Sequence, residues 1–131
     1  MDDWESTLAG LRRAFLDRIP SFADDAESAI ASLRREPRSI EHLSALRLVL
    51  HKIVGSGGSF GLAGIAANAA ASEALCREHL DAATTPTVDQ LDGIEAHVAS
   101  IREEADLERN STAPLESEAH MFRDSSSVIS N

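Results

Sequence analysis

The residues best suited to chemistry are one histidine and the glycines that follow it. The segment HKIVGSGGSFG begins at His51, and five of the chain's seven glycines lie between Gly55 and Gly64. Glycine costs a helix interior about 1 kcal/mol relative to alanine, yet the residues before this run are typical of helix. Two explanations remain open at this point. The glycines let two helices pack tightly and His51 is an ordinary surface residue, or another protein must approach the imidazole over bare backbone.

Apolar periodicity predicts which way His51 points. The stripe with the three- and four-residue spacing of a core-facing helix consists of Leu43, Leu46, Leu50, Ile53 and Phe60. At about 100° per residue, His51 points well away from the centre of this stripe and is expected to be exposed. The residues predicted to share its face are Arg47, Val54, Gly55, Gly58 and Leu62.

This segment resembles the signature of histidine-containing phosphotransfer domains, most closely that of the P1 domain of the chemotaxis kinase CheA. That signature has a histidine on a helix, a glycine four residues later, a small-residue tract and a Phe-Gly pair. The matching residues here are His51, Gly55, the tract from Ser56 to Ser59, and Phe60-Gly61. The resemblance covers roughly residues 20–107.

The resemblance implies two functional residues and one departure. His51 would be the phosphorylated nucleophile, and Glu73 on the next helix would hydrogen-bond Nδ1–H and leave Nε2 free to attack. A plain solvated helix residue is the alternative interpretation of Glu73. The family usually has lysine three residues after the histidine, where this chain has Val54. The chain's one lysine, Lys52, lies about 100° around the helix from His51.

The chemistry of histidine suits this role. An ordinary pKa of about 6.5 leaves a neutral, nucleophilic ring nitrogen at neutral pH. Phosphoryl transfer also requires charge stabilisation and in-line geometry. The chain has no GxxxxGK[ST] phosphate loop and no acidic cluster spaced for Mg²⁺. We therefore predict a phosphoryl carrier with no cofactor of its own, with ATP and Mg²⁺ bound by partner domains.

Two partners are expected to use the same histidine: a kinase catalytic domain and a CheY-like response-regulator receiver domain, whose aspartate takes the phosphoryl group. The surface predicted to meet them comprises Arg47, Lys52, Val54, Gly55, Gly58 and Leu62. Partners of other kinds are not expected. The net charge of −10 argues against nucleic acid and anionic membranes, and no apolar run is long enough to span a bilayer.

The remaining histidines and the cysteine are predicted to have no role in chemistry. His42, His79, His97 and His120 form no HxxxH or HExxH pair, and we predict no metal site. Cys76 is the only cysteine, which excludes an intrachain disulfide and fits a reducing cytoplasm. It lies on the apolar side of its helix and is expected to be a small core residue. The acidic N-terminus shows no signal peptide, so a cytoplasmic location is expected.

The pattern predicts an all-α fold, an antiparallel up-down-up-down four-helix bundle. The four expected helices run over residues 4–35, with a break or bend at Pro20, and over 40–59, 62–80 and 87–107. Ser39 is the predicted N-cap of the second helix and Thr85 that of the fourth. We assign residues 1–108 to the bundle and 109–131 to a linker-like tail with a possible short fifth helix over 114–123.

Several functions remain open. The leading hypothesis is the phosphotransfer domain of a CheA-like chemotaxis kinase, in which case the chain is part of an enzyme that has its ATP site elsewhere. A stand-alone phosphorelay protein would have the same chemistry. A helical module that binds a response regulator without being phosphorylated is the third possibility. An autonomous enzyme is disfavoured, because no catalytic group besides Glu73 accompanies His51.

Overall fold

Four α-helices follow one another in the structure, a computed structural model that describes the backbone of residues 3–121 and the side chains of residues 3–111. The helices are α1 (Asp3–Arg35), α2 (Ile40–Ser59), α3 (Ala63–Ala82) and α4 (Val88–Met121). Each helix packs against the next, and α1 also packs against α4. Short connections reverse the chain between neighbours, and residues 3–121 contain no strand. The predicted four-helix bundle is confirmed.

The core lies along the bundle axis and receives apolar side chains from all four helices. Its largest fully buried members include Leu16, Ile19, Ile30, Leu33, Leu46, Leu50, Ile53, Ile65, Ile94, Val98 and Ile101. Cys76 is fully buried among them, as predicted. Burial, with a smaller contribution from the charge of Glu73, raises the pKa of the Cys76 thiol to about 12. The thiol is therefore neutral and unreactive at neutral pH.

The starts of two helices are fixed by side-chain caps. The Ser39 hydroxyl accepts the His42 backbone N–H at 3.1 Å, which confirms Ser39 as the N-cap of α2. The N-cap predicted for α4 was wrong by two residues. Thr87, not Thr85, accepts the Gln90 N–H at 3.0 Å, and the Gln90 side chain accepts the Thr87 N–H at 2.9 Å. This reciprocal pair satisfies two backbone donors, which a Thr85 cap would not do.

No break occurs at Pro20 or at Leu107, and the bend predicted at Pro20 stays a prediction. Helix α1 continues through Pro20, because buried residues on both sides, including Ile19 and Phe22, dock it as one piece on the bundle. Helix α4 continues past Leu107 to Met121. Polar residues such as Ser111 cost a helix only a few tenths of a kcal/mol. The Ser111 hydroxyl also donates to the Glu108 carbonyl at 3.3 Å, within the preceding turn.

Residues 114–121 therefore continue α4 and do not begin a separate fifth helix. Residues 122 and 123, where that fifth helix was expected to end, lie outside the described residues. The assignment of 109–131 as a separate tail stays a prediction. Across the helices described, no segment combines the length and apolarity needed to cross a bilayer.

Candidate functional site

His51 lies in the second half of α2, on the side opposite the core. Its neighbours Leu50 and Ile53 are buried, whereas the His51 side chain is 60 % exposed. The exposure predicted from the apolar periodicity of α2 is therefore confirmed. The exposed imidazole can be reached by another protein without any change in the bundle.

Glu73 of α3 forms a hydrogen bond with the imidazole of His51. Its side chain is only 6 % exposed, and Oε2 lies 2.9 Å from Nδ1 of His51. An ionised carboxylate only accepts hydrogen bonds, so in the neutral imidazole this contact places the proton on Nδ1 and leaves the lone pair on Nε2. Within residues 3–111, Nε2 has no hydrogen-bond partner. The predicted contact between the two side chains is present.

Arg47, one turn before His51, completes this arrangement. Its NH1 donates to the same Glu73 Oε2 at 3.1 Å, and its side chain is 30 % exposed. A buried carboxylate requires a compensating charge, which Arg47 supplies when the imidazole is neutral. The sequence placed Arg47 on the histidine face but did not identify this ion pair. The four-residue spacing between Arg47 and His51 could have indicated it, since side chains at this spacing lie on the same face of a helix and can bond to one carboxylate.

The three glycines of α2 divide into two groups. A Cβ at Gly55 or Gly58 would meet nothing within 4 Å, so these positions leave the surface beside His51 bare. A Cβ at Gly57 would lie 3.3 Å from the Ala66 Cβ, which shows that α2 and α3 approach closely there. Gly57 therefore serves helix packing, whereas the approach of another protein over Gly55 and Gly58 stays a prediction. Gly61 has φ +72°, where glycine is favoured, in the turn to α3.

The other residues predicted to meet partners lie in different environments. Lys52 is exposed, and Val54 is half-buried against the core. Leu62 is only 4 % exposed, so its placement on the exposed face was wrong. The helical periodicity of α2 ends at Ser59, and the Leu62 N–H donates to the Gly57 carbonyl at 2.8 Å. That turn directs the Leu62 side chain into the core.

A shallow depression of about 550 Å³ adjoins His51. Its lining consists of Arg18, Phe22, His51, Lys52, Gly55, Ser56, Ser59 and Phe60. Arg18 comes from α1 and was not identified from the sequence. Residue spacing within one helix could not reveal it, because Arg18 and His51 belong to different helices. Phe15 packs on Phe60 with ring centroids 5.9 Å apart, and this contact brings α1 to the same end of α2 as His51.

Three of the other histidines form hydrogen bonds with residues away from this site. His42 contacts Glu36, His79 contacts Thr84 and Gln90, and His97 contacts Asn68. The side chain of His120 lies outside the described residues. Among the described histidines, the contact with a buried carboxylate distinguishes His51.

Comparison with known proteins identifies the fold and the family of the chain. Among solved structures, the chain is similar to the CheA phosphotransferase domain from Thermotoga maritima, with a TM-score of 0.69 and 22 % sequence identity. The match covers 74 % of this chain and 92 % of that one, and at this identity it supports the fold. No curated protein matches the chain significantly. The family model of the Hpt domain matches residues 10–104, most of the chain, and the chain therefore belongs to the Hpt domain family.

Proposed function

We propose that His51 accepts a phosphoryl group from ATP, bound by a separate kinase domain, and passes it to an aspartate of a response regulator. Hpt domains interact with kinases and response regulators in phosphorelays, which supplies the two partner classes. The observation that carries the proposal is the exposed imidazole whose Nδ1 is held by the buried Glu73 at 2.9 Å. That contact leaves Nε2 as the one nucleophilic ring nitrogen.

The chemical step requires little from this chain. The Nε2 lone pair forms a bond to the γ-phosphorus, the bond from that phosphorus to the bridging oxygen breaks, and ADP leaves with the electron pair. The ring gains positive charge as the bond forms, while Nδ1–H stays hydrogen-bonded to the Glu73 carboxylate. Attack by the regulator's aspartate oxygen then breaks the P–N bond and returns neutral His51.

The surroundings of His51 fit an exchange between two partners. Each partner must bring its own active site to Nε2, and the bare positions Gly55 and Gly58 leave the approach unobstructed. Arg47, Lys52 and Val54 border the same face and are proposed to contact the partners. Leu62, which is buried, is not.

We further propose that the domain serves a CheA-like chemotaxis kinase. The likeness to the CheA phosphotransferase domain of Thermotoga maritima favours this assignment over a stand-alone phosphorelay protein. The two assignments predict different partners. A CheA-type catalytic domain should phosphorylate this chain faster than other histidine kinases do, and equal rates would favour the stand-alone protein.

The decisive experiment is phosphorylation of wild type and His51→Gln by a CheA-type kinase domain with ATP and Mg²⁺. We expect acid-labile, base-stable phosphate on the wild type and none on the variant, with unchanged helical circular dichroism. His42→Gln, which alters another histidine of α2, is the matched control and should be labelled like the wild type.

Phosphate retained by His51→Gln would place the nucleophile elsewhere. Absence of phosphate on the wild type with several kinases would instead favour the interaction module. In that case, a response regulator should bind the wild type and His51→Gln with equal affinity.

A further inference from the structure

Arg18 and Lys52 both line the depression beside His51. Arg18 comes from α1 and Lys52 from α2, and both side chains are exposed. The lining contains no acidic residue. This local excess of positive charge is notable in a chain whose net charge is −10.

The other arginines that reach between helices are neutralised. Arg12 pairs with Glu108 at 2.6 Å, Arg34 with Asp92 at 2.9 Å, and Arg102 with Asp24 at 2.6 Å. Within residues 3–111, neither Arg18 nor Lys52 forms an ion pair with a carboxylate. Their charges therefore remain available to an anion from outside.

The Arg18 guanidinium is held in place by aromatic packing. Its carbon Cζ lies 4.8 Å from the centroid of the Phe22 ring, within the range of a cation–π contact. Phe22 is buried, and Phe15 packs against both Phe22, at 6.4 Å, and Phe60, at 5.9 Å. The aromatic cluster thus fixes the guanidinium relative to the end of α2 that bears His51.

From this placement we propose that the depression binds the phosphoryl group, with Arg18 of α1 as its main cationic ligand and Lys52 as the second. The proposal rests on the proposed function, because it takes the phosphoryl group to be the one carried on His51. A phosphoryl group on Nε2 has three oxygens with up to two negative charges, and guanidinium is well suited to bind such a group. Positive charge there stabilises both the incoming phosphodonor and the product.

The assignment also accounts for Val54. That residue is half-buried against the core and offers no charge to the histidine face. The positive charge for the phosphoryl group comes instead from the neighbouring helix and from the residue next to the histidine. Arg47 is committed to Glu73 at 3.1 Å and does not belong to the depression.

The test uses potassium phosphoramidate, a small anionic phosphodonor, with the full chain and no kinase. In this reaction Nε2 forms a bond to phosphorus, the P–N bond of the protonated donor breaks, and ammonia leaves with the electron pair. Phosphorus NMR follows phosphohistidine with time, and His51→Gln identifies the signals from other histidines. Arg18→Gln removes the charge and keeps a long side chain, and Arg77→Gln is the control with the same change in net charge.

We expect Arg18→Gln to slow labelling of His51 about twofold to fivefold, since one unit charge near an exposed site contributes at most about 1 kcal/mol. Lys52→Gln should slow it less, and Arg18→Lys should restore part of the rate. Added salt should reduce the wild-type rate more than that of Arg18→Gln. A purely structural role of Arg18 would not produce this salt dependence or the recovery with lysine.

Equal rates and equal salt dependence in wild type, Arg18→Gln and Arg77→Gln would overturn the assignment of Arg18. Failure of phosphoramidate to label wild-type His51 would do the same, because a phosphoryl-binding depression must accept this donor. Neither result depends on a kinase. If a CheA-type kinase still labels His51, the proposed function stands and only the role of the depression is lost.

Discussion

Both sides of α2 contain glycine, but the glycines on the two sides serve different purposes. On the buried side, Leu50 and Ile53 fill the core and Gly57 lets α3 approach. On the histidine side, a Cβ at Gly55 or Gly58 would have no neighbour within 4 Å, so both positions leave space for another molecule. We therefore expect substitutions on the buried side to alter the stability of the bundle. Substitutions on the histidine side are expected to alter phosphorylation or partner binding.

The largest expected effect comes from the buried side. Leu50→Ala removes a fully buried side chain next to His51 and should lower the free energy of unfolding by about 2–5 kcal/mol. Urea denaturation followed by circular dichroism measures this change. The control Leu48→Ala alters a residue that is 47 % exposed and should change stability by no more than about 0.5 kcal/mol. Similar losses in both variants would remove the contrast between the two sides.

The next largest effect is expected from loss of the hydrogen bond between Glu73 and His51. Glu73→Ala removes the hydrogen bond that the imidazole donates while its ring becomes positively charged. A hydrogen bond of this kind contributes about 1.5–3 kcal/mol, so phosphorylation of His51 should slow about 10- to 100-fold. Initial rates with a CheA-type kinase domain measure the effect. Glu78→Ala changes an exposed glutamate of the same helix and should retain the wild-type rate. An unaltered rate in Glu73→Ala would exclude this residue from the mechanism.

A third test separates the two groups of glycines. Gly57→Leu should destabilise the bundle by about 1–3 kcal/mol, because even a Cβ there lies 3.3 Å from Ala66. Gly58→Leu, one residue away, should leave stability unchanged or raise it by up to about 1 kcal/mol through helix propensity. We expect Gly58→Leu to weaken regulator binding, measured by isothermal titration calorimetry. Unchanged affinity would mean that the regulator does not approach over Gly58.

The smallest effect on stability is expected at the N-cap of α2, which stabilises the helix as a whole and not one of its sides. Ser39→Ala removes the cap on the His42 N–H and should lower the free energy of unfolding by about 1 kcal/mol. The phosphorylation rate should not change, since the cap lies several turns from His51. A parallel loss of phosphorylation would show that the stability of α2 limits the chemistry, which contradicts the separation of the two sides.

The sequence was sufficient for features that depend on one helix at a time. Apolar spacing determined the four helices and the exposure of His51, because one face of each helix must be removed from water. Local capping chemistry identified Ser39, whose hydroxyl reaches a backbone N–H within its own first turn. It misplaced the N-cap of α4, where Thr85 and Thr87 are both suitable residues and the side chain of Gln90 decides between them.

Features that depend on two helices required the tertiary structure. Helical periodicity placed Gly55 and Gly58, but not Gly57, on the histidine face, and only the position of Ala66 on α3 shows that Gly57 is needed for close packing. The sequence did not predict the ion pair between Arg47 and Glu73, or the location of Arg18 beside His51. Those contacts arise where helices cross, and the side chains buried between helices determine the crossing points, here Phe15 against Phe60.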